Sequence, residues 1–177
     1  MDKEIEVQRN ESGQSVSQKS QKPLLEIIQD TRETLPISFD AFRGVAVIRK
    51  KLDTGDYSVS GYENKISFER KAVQDAVGTL VGGHQRFLRE LERMKNYEEK
   101  YILIEHSPAI LYSYCLKHGW ESKFNLVIQS LLAYAYHYQI RIRFCKDRKD
   151  MASYIVRKSK EFLEKKGEQI GMGIQSA

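Results

Sequence analysis

Short apolar stretches separated by polar turns predict the strands of this chain. Segments 24–29 and 44–52 are rich in Leu, Ile and Val, and segments 101–105 and 140–144 repeat this pattern, which is typical of strands in a buried sheet. Between the last two segments, apolar residues recur at helical spacing over 124–135. This alternation predicts an α/β fold in which helices cover both faces of a central sheet.

Three more helices are predicted over 71–80, 85–97 and 149–166. In the second, apolar residues at helical spacing form a buried stripe, while three arginines follow i, i+3 and i+7 on another face. That face has two interpretations: contact with the phosphate groups of a ligand, or a solvated surface neutralised by neighbouring glutamates. The three candidate phosphate-binding residues are Arg86, Arg89 and Arg93.

A tight hairpin is predicted over 56–69, with its turn at 61–64. The midpoint of Asp56 and Glu69 falls inside this turn, so the two carboxylates are expected to face each other across the hairpin. Opposed like charges destabilise a strand pair unless something compensates them, and a divalent cation such as Mg²⁺ can do so. If the strand continues, Lys71 lies on the same face as Glu69.

Two carboxylates beside an ammonium group suit metal-assisted hydrolysis of a phosphodiester, although a surface hairpin with scattered charges fits the same spacing. The first predicted strand ends at Asp30, at the edge where an α/β sheet usually carries its chemistry. Asp30 is therefore a candidate third metal ligand. Glu33, three residues later, is a candidate group that contacts the ligands without binding the metal itself. The alternative for Asp30 is a residue that caps a turn or a helix.

Three motifs occur in the order Asp30-x-x-Glu33, Gly55-Asp56-Tyr57 and Glu69-Arg70-Lys71-x-x-x-Asp75. They resemble the XPF-type nuclease family, and the resemblance runs over residues 24–160, which is most of the chain. The resemblance implies a restriction-endonuclease-like fold with a mixed sheet. It also implies cleavage of branched or flapped DNA with Mg²⁺, for which Mn²⁺ substitutes. The resemblance places Asp30, Asp56 and Glu69 around the metal, and Glu33, Arg70, Lys71 and Asp75 complete the implied catalytic set.

Many members of that family carry a tandem helix-hairpin-helix domain after the nuclease domain, and segment 167–177 leaves no room for one. The chain is therefore expected to resemble the stand-alone nucleases of bacterial viruses and mobile elements. Two other functions stay open: a DNA-binding module of the same fold without catalysis, and a restriction-type enzyme that cuts duplex DNA.

Composition adds limits to this interpretation. The 177 residues predict one nuclease domain over 23–166, after a disordered tail over 1–22 and before a flexible tail over 167–177. The net charge of +5 favours a polyanionic partner, and no apolar run is long enough for a membrane span. Cys115 and Cys145 lack zinc spacing and are expected to be reduced core residues in a cytoplasmic protein. The family resemblance implies a bacterial or virus-infected cell and association with the nucleoid. The apolar helix around Leu131 is expected in the core, or at the interface of a homodimer.

Overall fold

The computed structural model describes residues 25–81 and 84–175. The predicted disordered tail over 1–22 lies outside these residues. Within them, a six-stranded sheet has the order β2-β1-β3-β4-β5-β6. Its strands are β1 Leu25–Gln29, β2 Val45–Arg49, β3 Tyr57–Val59, β4 Ile66–Lys71, β5 Glu99–Glu105 and β6 Arg141–Cys145.

Only β3 runs against the other strands of this sheet. It is antiparallel to both β1 and β4, while the β1–β2, β4–β5 and β5–β6 pairs are parallel. The carboxyl ends of five strands therefore meet the amino end of β3 at one edge. This edge carries the candidate chemistry, and the predicted mixed sheet is confirmed.

Helices cover both faces of the sheet, as the sequence predicts. One face packs against α5, and the other face packs against the remaining four helices. The helices are α1 Val73–Val81, α2 His84–Arg93, α3 Pro108–Lys117, α4 Glu121–Tyr138 and α5 Arg148–Gln175. In the described residues, no helix is both long enough and apolar enough to cross a bilayer.

Strand alternation divides the core into two clusters. Phe68 and Tyr101 stack with ring centroids 4.9 Å apart on the α5 side, whereas Ile102 and Ile104 belong to the cluster on the other side. Side chains of successive strand residues point to opposite faces of a sheet. The side chains of Glu69 and Lys71 therefore leave β4 on the α1–α4 side, and that of Arg70 leaves it on the α5 side.

Three predicted helix boundaries are wrong. The helix predicted from Lys71 begins at Val73 instead, because β4 continues to Lys71 through its pairing with Ile104 of β5. Lys71 and Asp75 therefore do not share a helix. The second predicted helix ends at Arg93, before a turn in which the Tyr97 N–H donates to the Met94 carbonyl.

The third wrong boundary is the end of α5, which was placed at Lys166 before a flexible tail over 167–177. The helix continues to Gln175. A glycine such as Gly167 costs a helix only about 1 kcal/mol relative to alanine, and no proline follows it.

The predicted core residues of the α4 region are confirmed in part. Val127 and Leu131 are buried, and so are both cysteines, which are free thiols. Leu132, in contrast, is 66% exposed. The separate helix α3 was not predicted, although Ser107 caps it and Pro108 opens it, which is a typical helix start.

Candidate active site

Gly55 allows the chain to enter the hairpin immediately before Asp56. Its φ of +79° lies in the left-handed region that side chains disfavour. A Cβ atom at this position would also lie 2.1 Å from Oγ of Ser67. Any other residue here would shift the backbone that carries Asp56, which explains why glycine precedes the aspartate.

The hairpin places Asp56 beside Glu69. Tyr57 pairs with Phe68, so continuing the antiparallel register by one residue sets Asp56 across from Glu69. Gly61, with a φ of +82°, lies at the start of the predicted turn. The Asp56 carboxylate is held in place because its Oδ2 accepts the Arg70 backbone N–H at 2.8 Å.

Lys71 lies on the same face as Glu69, as the strand period predicts. Its Nζ donates to Oε1 of Glu69 at 2.6 Å and lies 4.4 Å from the centre of the Phe87 ring. Both charged side chains are nearly buried, with about a tenth of their surface exposed (10% for Lys71 and 8% for Glu69). The ammonium group is therefore fixed beside the two carboxylates.

Burial and mutual repulsion make the two carboxylates costly to ionise. Burial, followed by the charge of Glu69, raises the pKa of Asp56 well above its usual range. Burial also raises the pKa of Glu69, although the neighbouring Lys71 opposes this. Lys71 loses hydration, but the carboxylates outweigh that loss and raise its pKa. The cluster therefore has an excess of negative charge that Lys71 does not fully balance.

Arg70 anchors the site from the opposite face of β4. Its Nε and Nη2 donate to Oε1 of Glu105 at 3.0 and 2.8 Å, and its Nη1 lies 3.5 Å from Oε2 of Glu33. The Arg70 side chain is only 7% exposed. Its guanidinium therefore joins the end of β5 to the loop after β1, and this ion-pair role is one that the motif implies.

Sequence reasoning missed Glu105 and Arg148. Nε of Arg148 donates to Glu105 at 2.8 Å, which extends the Arg70 network to the start of α5. No motif contains these two residues. The available signal was topological, because Glu105 ends the predicted strand over 101–105, at the edge of the sheet that also carries Asp56.

Asp30 is not among the residues that line the candidate cavity, contrary to its predicted place as a third ligand. Its Oδ1 accepts the N–H and Nε of Arg32, and its Oδ2 accepts Nη2 of Arg32 and the N–H of Leu52, at 2.7–2.8 Å. Burial alone would raise the pKa of Asp30, but these donors outweigh it and lower that pKa. Asp30 holds the loop together, which agrees with the alternative role of a turn residue.

An open cavity of about 470 Å³ lies above the carboxylate pair. One wall is the loop after β1, and the other is formed by α1 and α2. Asp75, in the first turn of α1, is exposed at this wall. The charged lining residues are Glu33, Asp56, Glu69, Arg70, Lys71, Asp75, Arg86 and Glu90.

A family model, described as the ERCC4 domain, matches residues 29–158. The chain belongs to the ERCC4 domain family. This finding confirms the resemblance that the sequence motifs gave. No curated protein matches the chain in sequence.

Two solved structures share the fold of this ERCC4 domain. XPF from Aeropyrum pernix is 26% identical, with a TM-score of 0.59, over 73% of this chain and 61% of that chain. A structure of XPF from Aeropyrum pernix in complex with DNA is 24% identical, with a TM-score of 0.63, over 79% of this chain and 66% of that chain. The chain therefore spans 61% and 66% of the length of these two structures, and it has the expected restriction-endonuclease-like architecture.

The predicted arginines lie along one exposed side of α2 in the ERCC4 domain. Arg86 reaches the cavity and lies 3.7 Å from Glu90, with 85% of its side chain exposed. Arg93 is exposed and donates through Nε to the Asp53 carbonyl at 3.2 Å. Arg89 is also exposed. The side of α2 next to the cavity is therefore basic and accessible.

The donor set of the ERCC4 domain suits a hard divalent cation. Asp56 and Glu69 supply two neighbouring carboxylates, and Mg²⁺ is usually bound by one or two carboxylates together with water and phosphate oxygens. Among the described residues, no group of three His, Cys, Asp or Glu side chains is arranged to hold a metal. The excess negative charge at Asp56 is the observation that favours a cation here.

Proposed function

We propose that this ERCC4 domain is a divalent-metal-dependent endonuclease that cuts branched or flapped DNA, with Mg²⁺ as its metal. The observation that carries this proposal is the pair of half-buried Asp56 and buried Glu69, with raised pKa values, beside Lys71 at an open cavity. Membership of the ERCC4 family supports phosphodiester hydrolysis, and the net charge of +5 supports a polyanionic substrate.

The residues around the cavity have different proposed roles in the reaction. Asp56 and Glu69 would hold the metal, which lowers the pKa of bound water and polarises the phosphate when it is present. Lys71 is placed to donate a hydrogen bond to the developing negative charge on the phosphate oxygens. Arg70 keeps the Asp56 carboxylate in place through its backbone N–H. The fixed positions of these groups reduce the reorganisation that the reaction requires.

The exposed side of α2 is the proposed contact with the DNA backbone. Arg86, Arg89 and Arg93 follow one side of the helix beside the cavity, and arginine binds phosphate oxygens well. Each phosphate contact releases counterions from the DNA. Measured affinity should therefore depend less on salt concentration when Arg89 is replaced by alanine.

A cleavage panel tests the proposed function. We expect the protein with Mg²⁺ to cut labelled flap, fork and four-way junction DNA faster than plain duplex, and EDTA should stop the reaction. Mn²⁺ should restore it. Binding without cleavage in both metals would instead identify a non-catalytic module, and cleavage at one fixed duplex sequence would identify a restriction-type enzyme.

Replacing Lys71 by alanine should lower kcat about a hundredfold and change the affinity for DNA less than threefold. Its ammonium group acts on charge that develops in the transition state, and removing one such donor costs roughly 10²–10³ in rate. Single-turnover cleavage and fluorescence anisotropy measure the two quantities separately. Lys160→Ala, in the exposed part of α5, is the matched control. An equal loss of rate and of affinity would place Lys71 in ground-state binding instead.

We also propose a homodimer, with the contact on exposed parts of α3 and α4 rather than around Leu131. Leu131 is 3% exposed, whereas Leu132 and Tyr136 are 66% and 81% exposed. Sedimentation equilibrium measures the oligomeric state directly, and a monomer at micromolar concentration would contradict this proposal. A cytoplasmic, nucleoid-associated location follows from DNA as the partner and is part of the same proposal.

A further inference from the structure

Leu35 is an exposed apolar side chain on the rim of a cavity lined mainly by charged groups. It is 61% exposed and contributes to the cavity lining. Phe87, the other large apolar residue of that lining, is only 1% exposed and lies against Lys71. Leu35 is therefore the apolar group that this cavity presents to a ligand.

The backbone on both sides of Leu35 is held in place. Its N–H donates to Oε1 of Glu33 at 2.7 Å, and its carbonyl accepts Nη2 of Arg148 at 2.9 Å. The next residue, Pro36, restricts Leu35 to extended conformations. The Ile37 N–H donates to the Tyr57 hydroxyl at 2.8 Å. The loop therefore presents the leucine in a fixed position.

The same groups that hold Leu35 also belong to the catalytic framework. Glu33 contacts Arg70, and Arg148 contacts Glu105, which is the main partner of Arg70. Arg70 in turn holds Asp56 through its backbone N–H. The position of Leu35 is thus tied to the position of the carboxylates through a chain of direct contacts.

We propose that Leu35 is a specificity-determining residue that packs against a nucleobase face exposed at the branch point of the DNA. This inference rests on the proposed function. In plain duplex, neighbouring bases cover each other's faces, so a rigid leucine gains no contact unless it unstacks a step. At a branch or flap, stacking is interrupted and the exposed face can pack against an apolar wedge. Leu35 would therefore favour branched DNA over duplex at the cavity.

Binding measured without cleavage tests this inference. The wild-type protein, Leu35→Ser and the control Val47→Ser are titrated in EDTA with flap and plain duplex DNA. The DNA carries 2-aminopurine at the branch base, and the thermal unfolding of each variant is measured alongside. Val47 is a suitable control because it is an exposed apolar residue of β2, at 41%, that neither lines the cavity nor lies on α3 or α4.

We expect the wild-type protein to bind the flap more tightly than the duplex and to change the 2-aminopurine fluorescence. Leu35→Ser should lose about tenfold of that preference, because burying one leucine side chain against a base is worth about one decade in affinity. It should also lose most of the fluorescence change, whereas Val47→Ser should retain both. Leu35→Met, which remains apolar, should keep most of the preference.

The inference is overturned if Leu35→Ser keeps the wild-type preference, or if the wild-type protein shows none. These outcomes are distinct from failure of the proposed function. A wild-type protein that binds flaps through Leu35 but cuts no DNA with Mg²⁺ or Mn²⁺ would refute catalysis alone. A wild-type protein that cuts branched DNA, while Leu35→Ser shows the same preference, would refute only the role of Leu35.

Discussion

Replacing Asp56 by asparagine should reduce the rate of DNA cleavage by about a thousandfold and, in EDTA, raise the unfolding temperature by about 3 °C. The rate falls because one of the two proposed metal-binding carboxylates is lost. The stability rises because the isosteric amide removes a half-buried charge that repels Glu69. Lost activity with gained stability is the combination expected when a site is built for function at the expense of the fold.

The dependence of this stability difference on pH has a definite sign. The pKa of Asp56 is higher in the folded protein than in the unfolded chain, so the folded state holds its proton more tightly. The stabilisation associated with that proton is fully present below the unfolded pKa and is lost as the pH rises through the raised one. In EDTA, the advantage of Asp56→Asn over the wild-type protein should therefore grow as the pH increases from about 4.

Asp40→Asn provides the matched control for Asp56→Asn, because Asp40 is exposed and does not line the cavity. Its cleavage rate and unfolding temperature should equal those of the wild-type protein. Added Mg²⁺ should raise the unfolding temperature of the wild-type protein more than that of Asp56→Asn, since binding to the native state stabilises it. Cleavage by Asp56→Asn at the wild-type rate would contradict the assignment of the carboxylate pair.

Replacing Arg70 by alanine should lower the free energy of unfolding by about 3 kcal/mol and abolish cleavage. The change leaves Glu33 and Glu105 with little solvent, at 8% and 12% side-chain exposure, and without the guanidinium that joins them. Arg148 still reaches Glu105, which keeps the loss at the lower end of the range for broken buried ion pairs. Urea denaturation followed by circular dichroism measures the change.

Arg157→Ala is the control for Arg70→Ala. Arg157 forms an exposed ion pair with Glu161 on α5, and such pairs contribute about 0.5 kcal/mol or less. The two arginine variants should therefore differ by several-fold in their effect on stability. An Arg70→Ala protein with the urea midpoint of the wild type would show that the network of Glu33, Arg70 and Glu105 carries no stability.

The sequence predicted the hairpin and its opposed carboxylates because both depend on local rules. A turn at 61–64 fixes the partner of Asp56, and the strand period fixes the face of Lys71. The role of the Asp30 carboxylate is determined instead by the hydrogen bonds that it accepts from Arg32 and from the Leu52 N–H of a separate loop. No periodicity encodes that contact, so the sequence could equally support a metal ligand or a turn residue.

The roles of Glu105 and Leu35 could not be predicted from the sequence either, because they also depend on contacts between distant residues. Glu105 acquires its role from Arg70 and Arg148, which are 35 and 43 residues away in the chain. The sequence shows Leu35 only as a loop residue. The structure shows that Arg148, 113 residues away, donates a hydrogen bond to its carbonyl. Long-range side-chain contacts of this kind depend on the packing of the whole sheet and its helices.

The alternation along β4 makes strand register a condition of activity. Glu69 and Lys71 point to the cavity, while Arg70 between them points to the anchoring network on the opposite face. A slip of one residue between β4 and β5 would exchange these sides. Arg70 would leave Glu33 and Glu105, and Glu69 and Lys71 would turn to the α5 side of the sheet. The three adjacent residues from Glu69 to Lys71 therefore require a particular strand register as well as particular chemical groups. The pairing of Glu69 with Ile102 sets that register.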